Sequence, residues 1–308
     1  MYHINSTEYE RNFWNAVTRK NPGCEGMRQG KHTGSGSYKL PSADDKAFTE
    51  AMKKESVFRS LATVVNAPGS DRTIFTCDAQ DIATWLGDGS LDTYYDGVDD
   101  FKKLRIHAHR LGTIVRVHED FLQDTGFNIR SYLIDSFSKR MGRTEEDAFI
   151  NGDGKKMPTG ILSTEGGAEI GVTAGAITYE DTVKLYFSVK KEYRKNGVWM
   201  MNDETAQALR TMKDEGGNYI WNHANDTIMG KKVVISNAMP SVATGAKPVA
   251  FGDFSYYWIV QRFPFTVKVM EELYAMHQQV GYLGYAHMDG KLIRPEAIKV
   301  MQMTDTAA

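Results

Sequence analysis

The sequence predicts an α+β fold, and three observations predict it. Apolar residues recur at about every fourth position over residues 127–150, which is the period of one face of a long helix. Residues 103–110 alternate polar and apolar at every step, as in a strand with one face in water. From Thr178 onward, helical and strand patterns follow one another, which indicates a mixed sheet covered by helices.

The N-terminal region reads as a short helix followed by an arm. Thr7 is in position to cap a helix over residues 7–18, on which Phe13 and Trp14 form part of an apolar patch. A helix this short is not stable alone in water, so we expect these aromatic side chains to dock on another surface. Residues 21–45, rich in Gly and Ser, predict an arm without its own core.

The next region combines a helix, strands and one long connection. A helix is predicted over residues 43–56, followed by strands at residues 61–65 and 72–77. The connection over residues 78–102 contains seven aspartates, with no lysine or arginine before Lys102, and several large apolar side chains. Connections of this length are usually functional, and exposed aromatic residues are typical of surfaces that meet a partner.

The long helix ends at a distinctive sequence. Its apolar stripe predicts one buried face, with the charged residues elsewhere. The stripe consists of Ile129, Leu133, Phe137, Met141 and Ala148. Asn151 and the glycines after it predict the end of the helix, because they tolerate the left-handed backbone of a C-terminal cap. Residues 165–176, rich in glycine, predict a linker or exposed loop.

The second half alternates helices and short strands. We predict a helix capped by Thr178 and ending at Asn196–Gly197, and another capped by Asn202 or Asp203. Ala206, Leu209 and Met212 are expected to face inward on that second helix. Strands are predicted at residues 198–201, 232–236, 249–251 and 294–300, with several short alternating strands between residues 257 and 287.

Composition excludes several classes of protein. With 308 residues and 41% hydrophobic content, the chain is long enough to bury a substantial core. The net charge of −2 disfavours a protein that grips nucleic acid by its phosphates, so any contact with DNA is expected to be weak and non-specific. Two cysteines do not form a disulfide framework in a chain this long, and no run of 18 apolar residues predicts a membrane span.

No motif predicts a reaction centre, a cofactor or a metal. The glycine-containing loop at residues 151–156 follows a helix, whereas a phosphate-binding loop precedes one. His107 and His109 share a strand face but lack a third ligand at suitable spacing, and the wet face of a strand explains them better. The aspartates of residues 78–100 lack the spacing and the glutamate of a calcium loop. We therefore predict that the chain is not an enzyme.

Several segments, in this order and spacing, carry a resemblance to a known family. They are residues 55–63, 109–112, 117–124, 145–162, 199–202, 209–210, 213–219, 252–257 and 294–298. Together they resemble the major capsid proteins of tailed phages that have the Hong Kong 97-type shell fold. The sharpest part is the end of the long helix, where Asn151-Gly152-Asp153-Gly154 leads into Pro158-Thr159-Gly160-Ile161-Leu162.

The resemblance implies a division of the chain. It implies an N-terminal arm (1–45), an extended E-loop (68–112), a P-domain (46–67, 113–159 and 257–290) with a spine helix at 127–150, and an A-domain (160–256 and 291–308). It implies hexamers and pentamers that form an icosahedral or prolate head around double-stranded DNA. The E-loop contacts between subunits would involve Trp85, Leu86, Asp88, Asp92, Tyr94, Tyr95 and Asp96, and the arm contacts Phe13 and Trp14.

The resemblance also implies partners and a location. The chain would contact other copies of itself, portal, scaffolding and decoration proteins, and packaged DNA, and would assemble in the host bacterial cytoplasm into the virion capsid. One branch of the family crosslinks an E-loop lysine to a neighbour's asparagine; residues 78–101 contain no lysine, so non-covalent contacts are expected. The alternatives are an encapsulin-type compartment shell, which has the same fold, and a soluble α+β enzyme.

Overall fold

The structure is a computed structural model that describes residues 6–17, 37–67, 73–77, 101–124, 126–213 and 216–304. The α-helices are α1 (Thr7–Val17), α2 (Ser42–Glu55), α3 (Val57–Leu61), α4 (Glu119–Gln123), α5 (Ile129–Asn151), α6 (Tyr179–Ser188), α7 (Lys191–Arg194) and α8 (Asp203–Thr211). The strands are β1 (Ser37–Lys39), β2 (Thr63–Asn66), β3 (Thr73–Cys77), β4 (Phe101–Arg105), β5 (His109–His118), β6 (Glu169–Ala174), β7 (Val198–Met201), β8 (Trp221–Asn222), β9 (Thr227–Ile228), β10 (Lys231–Ile235), β11 (Val249–Gly252), β12 (Tyr257–Met270), β13 (Gln279–Leu292) and β14 (Ile298–Met303).

A five-stranded sheet is built on the long antiparallel hairpin of β12 and β13. Its order is β1-β12-β13-β5, and β2 pairs in parallel with the first part of β12. The prediction of several short strands between residues 257 and 287 was wrong, because two strands of 14 residues each occupy most of this region. Register shifts between Gln261, Phe263 and Thr266 interrupt the alternation of side chains, which makes one long strand read as several.

A seven-stranded sheet forms the second layer, in the order β6-β14-β11-β7-β10-β9-β8. Strands β7 and β10 are parallel, as are β14 and β6, so the sheet is mixed as predicted. Its centre is fully buried and rich in large apolar residues: Trp199, Met200, Met201 and Phe251 are all 0% exposed. Continuous burial of both faces explains why β7 reads as an unbroken apolar run.

The glycine-rich region at residues 165–176 contains strand β6, so the prediction of a linker there was wrong. Strand β6 lies at the edge of the seven-stranded sheet and pairs in parallel with β14. Most of its side chains are exposed or half-buried, so the strand carries no apolar alternation from which it could be predicted.

The predicted strand at residues 103–110 is also interrupted. Residues 106–108 are not part of a strand and separate β4 from β5. Strand β4 pairs with β3 in a two-stranded ribbon, whereas β5 belongs to the five-stranded sheet. One helix boundary also differs from the prediction. Helix α6 ends at Ser188 and the short α7 follows it, whereas one helix to Asn196 was predicted.

The ends of three elements, α1, α8 and β14, differ from the prediction. The Ser6 hydroxyl, rather than Thr7, caps α1 by accepting the amide hydrogen of Tyr9 at 3.1 Å. Met212 lies beyond the end of α8, so only two of the three residues predicted to face inward are buried within that helix. The last strand begins at Ile298, because Pro295–Ala297 form a 3-10 turn.

Helix α5 connects the two sheets. It begins one residue after Asn128, whose side-chain oxygen accepts the amide hydrogen of Ser131 at 3.2 Å. It packs against α2 and β5. The predicted stripe is confirmed, since Leu133, Phe137 and Met141 are each at most 2% exposed.

Candidate assembly surfaces and the junction that positions them

The end of α5 is closed by the chain that follows it. The amides of Ile161 and Leu162 donate to the carbonyls of Phe149 and Ile150, each at 2.9 Å. Carbonyls in the last turn of a helix lack partners within the helix, so this returning segment satisfies them. The motif Pro158-Thr159-Gly160-Ile161-Leu162 is therefore a helix cap made by backbone.

The glycines at this turn are required by close packing more than by a left-handed backbone. A Cβ on Gly152 would lie 2.0 Å from the carbonyl oxygen of Pro158, and one on Gly160 would lie 2.5 Å from the amide nitrogen of Gly152. Gly152 has an extended backbone, whereas Gly154 has a φ of 70°. The predicted left-handed conformation thus applies to the second glycine of the motif and not to the first.

A buried polar junction joins α5 to both sheets. The Glu146 carboxylate accepts the amide hydrogen of Val57 at 3.0 Å and the hydroxyl hydrogen of Ser236. Beside it, the Arg59 guanidinium forms an ion pair with Glu145, and both side chains are at most 2% exposed. Val57 begins α3 and Ser236 follows β10, so two consecutive residues of α5 connect the helix to both halves of the molecule.

The junction places two carboxylates beside one cation. Burial raises the pKa of Glu145, an effect opposed by Arg59 and reinforced by the neighbouring carboxylate of Glu146. Within the described residues, Arg59 Nε and Nη2 and Glu145 Oε2 have no hydrogen-bond partner although all three atoms are buried. A buried charge that is incompletely hydrogen-bonded is costly, so the arrangement makes the junction sensitive to small changes of geometry.

Another buried carboxylate, that of Asp289, anchors the base of the two-stranded ribbon. Asp289 of β13 is 1% exposed and accepts the amide hydrogen of His107 at 2.6 Å. The Nε2 atom of His109 lies 3.7 Å from the other oxygen of Asp289. Burial raises the pKa of Asp289, opposed by the amides of His107 and Gly290. Sequence reasoning missed Asp289 because it lies about 180 residues from the histidines, and no local signal could have found it.

The tip of the β12–β13 hairpin exposes apolar side chains. Leu273 is 66% exposed and Met276 is 96% exposed, both in the 3-10 turn Glu272–His277 between the two strands. A second exposed apolar group precedes and begins α5, where the ring of Phe127 lies 5.4 Å from that of Phe121 and 5.3 Å from that of Tyr132. Grouped exposed apolar residues mark surfaces that meet other proteins.

The residues predicted from sequence as subunit contacts fall into two sets. Trp85, Leu86, Asp88, Asp92, Tyr94, Tyr95 and Asp96 lie outside the described residues. Phe13 is 0% exposed and packs in the core of its own subunit, and its assignment as a contact with a neighbour stays a prediction. The indole nitrogen of Trp14 donates to Asp44 at 2.8 Å, and its half-buried ring lies 5.6 Å from the Arg130 guanidinium.

The structure brings together few groups of the kind that bind metals. Among the described residues, no three His, Cys, Asp or Glu side chains are arranged to hold a metal ion. In the same part of the chain, no helix is both long and apolar enough to pass through a membrane.

Several solved structures with a similar fold come from capsids and phages. The solved capsid of an empty GTA particle matches with a TM-score of 0.67 and 22% identity, covering 99% of this chain and 100% of that chain. The chain from Gordonia phage Cozz gives a TM-score of 0.57 at 14% identity, covering 81% and 87%. The satellite phage P4 procapsid gives a TM-score of 0.56 at 11% identity, covering 85% and 99%. No curated protein sequence matches.

These comparisons and the two-sheet architecture around a spine helix show that the chain has the Hong Kong 97-type fold. The profile described as "Phage capsid family" matches residues 36–303, and the chain belongs to that family. It is a major capsid protein, a structural subunit of a phage head. The resemblance seen in the sequence is thereby confirmed, and the encapsulin alternative is not favoured.

Proposed function

We propose that this major capsid protein assembles into hexamers and pentamers that close an icosahedral or prolate head around the double-stranded DNA of a tailed phage. The observation that carries the proposal is the family match over residues 36–303, on a fold that spans the full length of a solved capsid subunit. Such a shell needs one surface of each subunit to meet a different surface of the next, because head-to-tail contacts of this kind close into rings.

The two sheets support a division of labour within the subunit. In this proposal the five-stranded sheet and α5 form the P-domain (46–67, 113–159 and 257–290), and the seven-stranded sheet forms the A-domain (160–256 and 291–308) around the ring axes. The E-loop (68–112) includes the two-stranded ribbon, whose base is held by Asp289. Residues 1–45 form the arm, although its strand β1 pairs with β12 of the P-domain sheet.

The contacts between subunits are assigned to apolar and acidic residues. We assign the E-loop contacts to Trp85, Leu86, Asp88, Asp92, Tyr94, Tyr95 and Asp96. Aromatic side chains supply much of the binding energy at interfaces, while the aspartates favour one register by their charge. Leu273 and Met276 at the hairpin tip form a further contact in this proposal, because their exposure leaves a large apolar area to bury. Trp14, on α1, is assigned as a contact between the arm and a neighbouring subunit.

The remaining partners follow from the role of a head subunit. Portal, scaffolding and decoration proteins are proposed to bind the shell, and assembly takes place in the host bacterial cytoplasm. Contact with the packaged DNA is weak and non-specific, since the chain has a net charge of −2. Subunits are held without covalent crosslinks, because residues 78–101 supply no lysine.

The E-loop assignment is tested by removing two aromatic rings. Trp85→Ala with Tyr94→Ala should leave the subunit folded but reduce the yield of closed shells at least tenfold, measured by electron microscopy and size-exclusion chromatography. The matched control, Trp85→Phe with Tyr94→Phe, retains ring area and should assemble normally. Normal shells from the alanine variant would remove the E-loop assignment; a wild-type chain that never assembles would remove the proposed function itself.

A further inference from the structure

A cleft between the α6–α7 region and the start of β10 is lined almost entirely by charged side chains. It has a volume of about 880 Å³, and six of the seven residues that line it are charged. Five of them are cations and only Glu192 is acidic, while Tyr186 is the single uncharged residue. The cations are Lys190, Lys191, Arg194, Lys195 and Lys231. Because the whole chain has a net charge of −2, this positive charge is a local feature of the cleft.

Most of the cations have no acidic partner within the subunit. Lys190 pairs with Glu296 at 2.9 Å. In the part of the chain that the structure describes, Lys191, Arg194 and Lys195 form no ion pair. Both of these lysines are exposed, so their ammonium groups are accessible to a ligand from solvent.

The fold brings Lys231 to the other cations without neutralising it. Its ammonium group donates to the backbone carbonyl of Lys195 at 2.9 Å, which holds the start of β10 beside the end of α7. Setting Glu192 and Glu296 against the five cations leaves an excess of three positive charges at the cleft. The cleft therefore has a positive potential that attracts an anion.

The arginine of the cleft is held by two aromatic rings. The Arg194 guanidinium lies 5.3 Å from the ring centre of Tyr186 and 4.9 Å from that of Phe187. Arg194 Nε is buried without a hydrogen-bond partner among the described residues. Contact with the rings restricts the orientations of the guanidinium, and its planar set of donors matches the oxygens of a phosphate group.

The composition of the cleft favours phosphate groups over a protein partner. Lysine is depleted at the centres of protein–protein interfaces, where apolar and aromatic side chains are enriched. Lysine and arginine are, in contrast, the usual contacts to the phosphates of DNA. We propose that the cleft binds the phosphate backbone of the packaged DNA. The inference rests on the proposed function and gives the weak, non-specific contact with DNA a defined place on the subunit.

The charge of the cleft sets the strength of this contact. An excess of three positive charges neutralises about three phosphates per copy, so binding by one subunit is weak and falls steeply as salt is raised. In a shell, many copies contact the same DNA molecule, and their weak contacts add up to firm binding. The contact does not depend on base sequence, because the phosphates carry no sequence information.

The site is tested by removing two of its lysines. Lys191→Gln with Lys195→Gln, in the full chain, should weaken binding of a fluorescent DNA duplex about tenfold at low salt. The slope of log affinity against log salt should become shallower by about one unit per lysine removed. Fluorescence anisotropy measures both quantities at protein concentrations too low for shells to form. The variant should still form closed shells at high concentration.

A matched control removes the same charge elsewhere. Lys155→Gln with Lys156→Gln neutralises two exposed lysines in the turn after α5, and it should keep the salt slope of the wild type. Equal changes in the two variants would reduce the effect to net charge and overturn the site. An unchanged slope in the cleft variant would overturn it as well.

A substitution that strengthens binding separates the site from any loss of folding. Glu192→Gln removes the one carboxylate that lines the cleft, so it should tighten duplex binding about threefold. Damage to the fold cannot produce such a gain. Binding that stays the same or weakens would contradict the proposed position of the phosphates.

Two further measurements identify the source of the phosphate. Inorganic pyrophosphate at the same ionic strength should not displace the duplex when present at an equal concentration. Complete displacement would assign the cleft to a small phosphorylated ligand and overturn the proposal. Closed empty shells should not bind long duplex added from outside through this cleft. Binding that the two lysine substitutions abolish would place the cleft on the outer surface and contradict contact with packaged DNA.

Failure of the inference and failure of the proposed function give different results. A cleft variant that binds duplex like the wild type but forms no shells would assign the cleft to a protein partner and overturn the inference alone. A wild-type chain that never forms shells would count against the proposed function, whatever its affinity for DNA.

Discussion

The two halves of the spine helix α5 differ in whether polar contacts help to bury them. Along the first part, Leu133, Phe137 and Met141 pack on apolar neighbours, and the ring of Phe137 lies 5.4 Å from that of Phe265. In the second half Phe149 and Ile150 are also buried apolar side chains, but beside them Glu145 and Glu146 are buried in polar and charged contacts with residues of α3 and with Ser236. Apolar packing has no strong directional preference, whereas hydrogen bonds and ion pairs do.

This difference indicates which part of the helix can tolerate small shifts of its neighbours and which part fixes their arrangement. In the proposed head the subunit occupies both five- and six-membered rings, so its two sheets would have to adapt to slightly different surroundings. The apolar half can adjust by small shifts of side chains, while the polar junction fixes how the seven-stranded sheet sits on the helix. Substitutions in the two regions separate the contribution of apolar packing to stability from that of the polar junction.

The largest effect is expected in the apolar half. Phe137→Ala should lower the free energy of unfolding of the subunit by about 4 kcal/mol, because it removes a buried ring and leaves a cavity between α5 and the five-stranded sheet. Chemical denaturation measures the change. A loss under about 1 kcal/mol would show that this half is not a close-packed core.

The polar junction should give a smaller loss that a second substitution reverses. Arg59→Met leaves two buried carboxylates without their cation and should cost about 3 kcal/mol, limited by protonation of Glu145. Arg59→Met with Glu145→Gln removes the excess charge and should recover most of that loss. Equal losses in the single and double variants, measured by the same denaturation experiment, would contradict a charge-based junction.

The smallest effect is a dependence on pH at the ribbon base. The folded-state pKa of Asp289 is raised by burial, so its contribution to stability is fully present below its unfolded pKa and is lost as pH rises through its folded pKa. Asp289→Asn keeps an acceptor for the His107 amide and carries no charge, but its amide nitrogen replaces the oxygen that accepts the Gly290 amide. The change with pH is therefore the test: between about pH 4 and pH 7 the free energy of unfolding of wild type should fall by about 1 kcal/mol relative to that of the variant. A wild type that becomes more stable relative to the variant over this range would contradict the raised pKa of Asp289.

The sequence predicted the first half of α5 better than the second for the same physical reason. The spacing of apolar residues along a helix predicts its buried face, so the burial of Leu133 and Phe137 could be predicted from the sequence alone. Glu145 and Glu146 read as part of the charged, exposed face, and only their partners from α3 and from the chain after β10 explain why they are buried. Strand β6 was missed similarly, since its only evidence is its pairing with β14, more than 100 residues away.

The candidate contact surfaces could be predicted only in part. The acidic and aromatic character of residues 78–100 is visible in the sequence, and so is the resemblance that makes it an E-loop. The grouping of Lys231 with Lys191 and Arg194 was not visible, because Lys231 comes from a different element and reaches the other two only through the fold. The turn that exposes Met276 likewise depends on where two long strands end.

We propose that this subunit buries its remaining exposed surfaces by tiling a closed head. Electron cryo-microscopy of the full chain, expressed and purified without other phage proteins, is the decisive experiment. We expect closed shells built of five- and six-membered rings, with residues 78–100 of each copy lying on a neighbour. Particles that remain single subunits at high protein concentration and across a range of salt would contradict it.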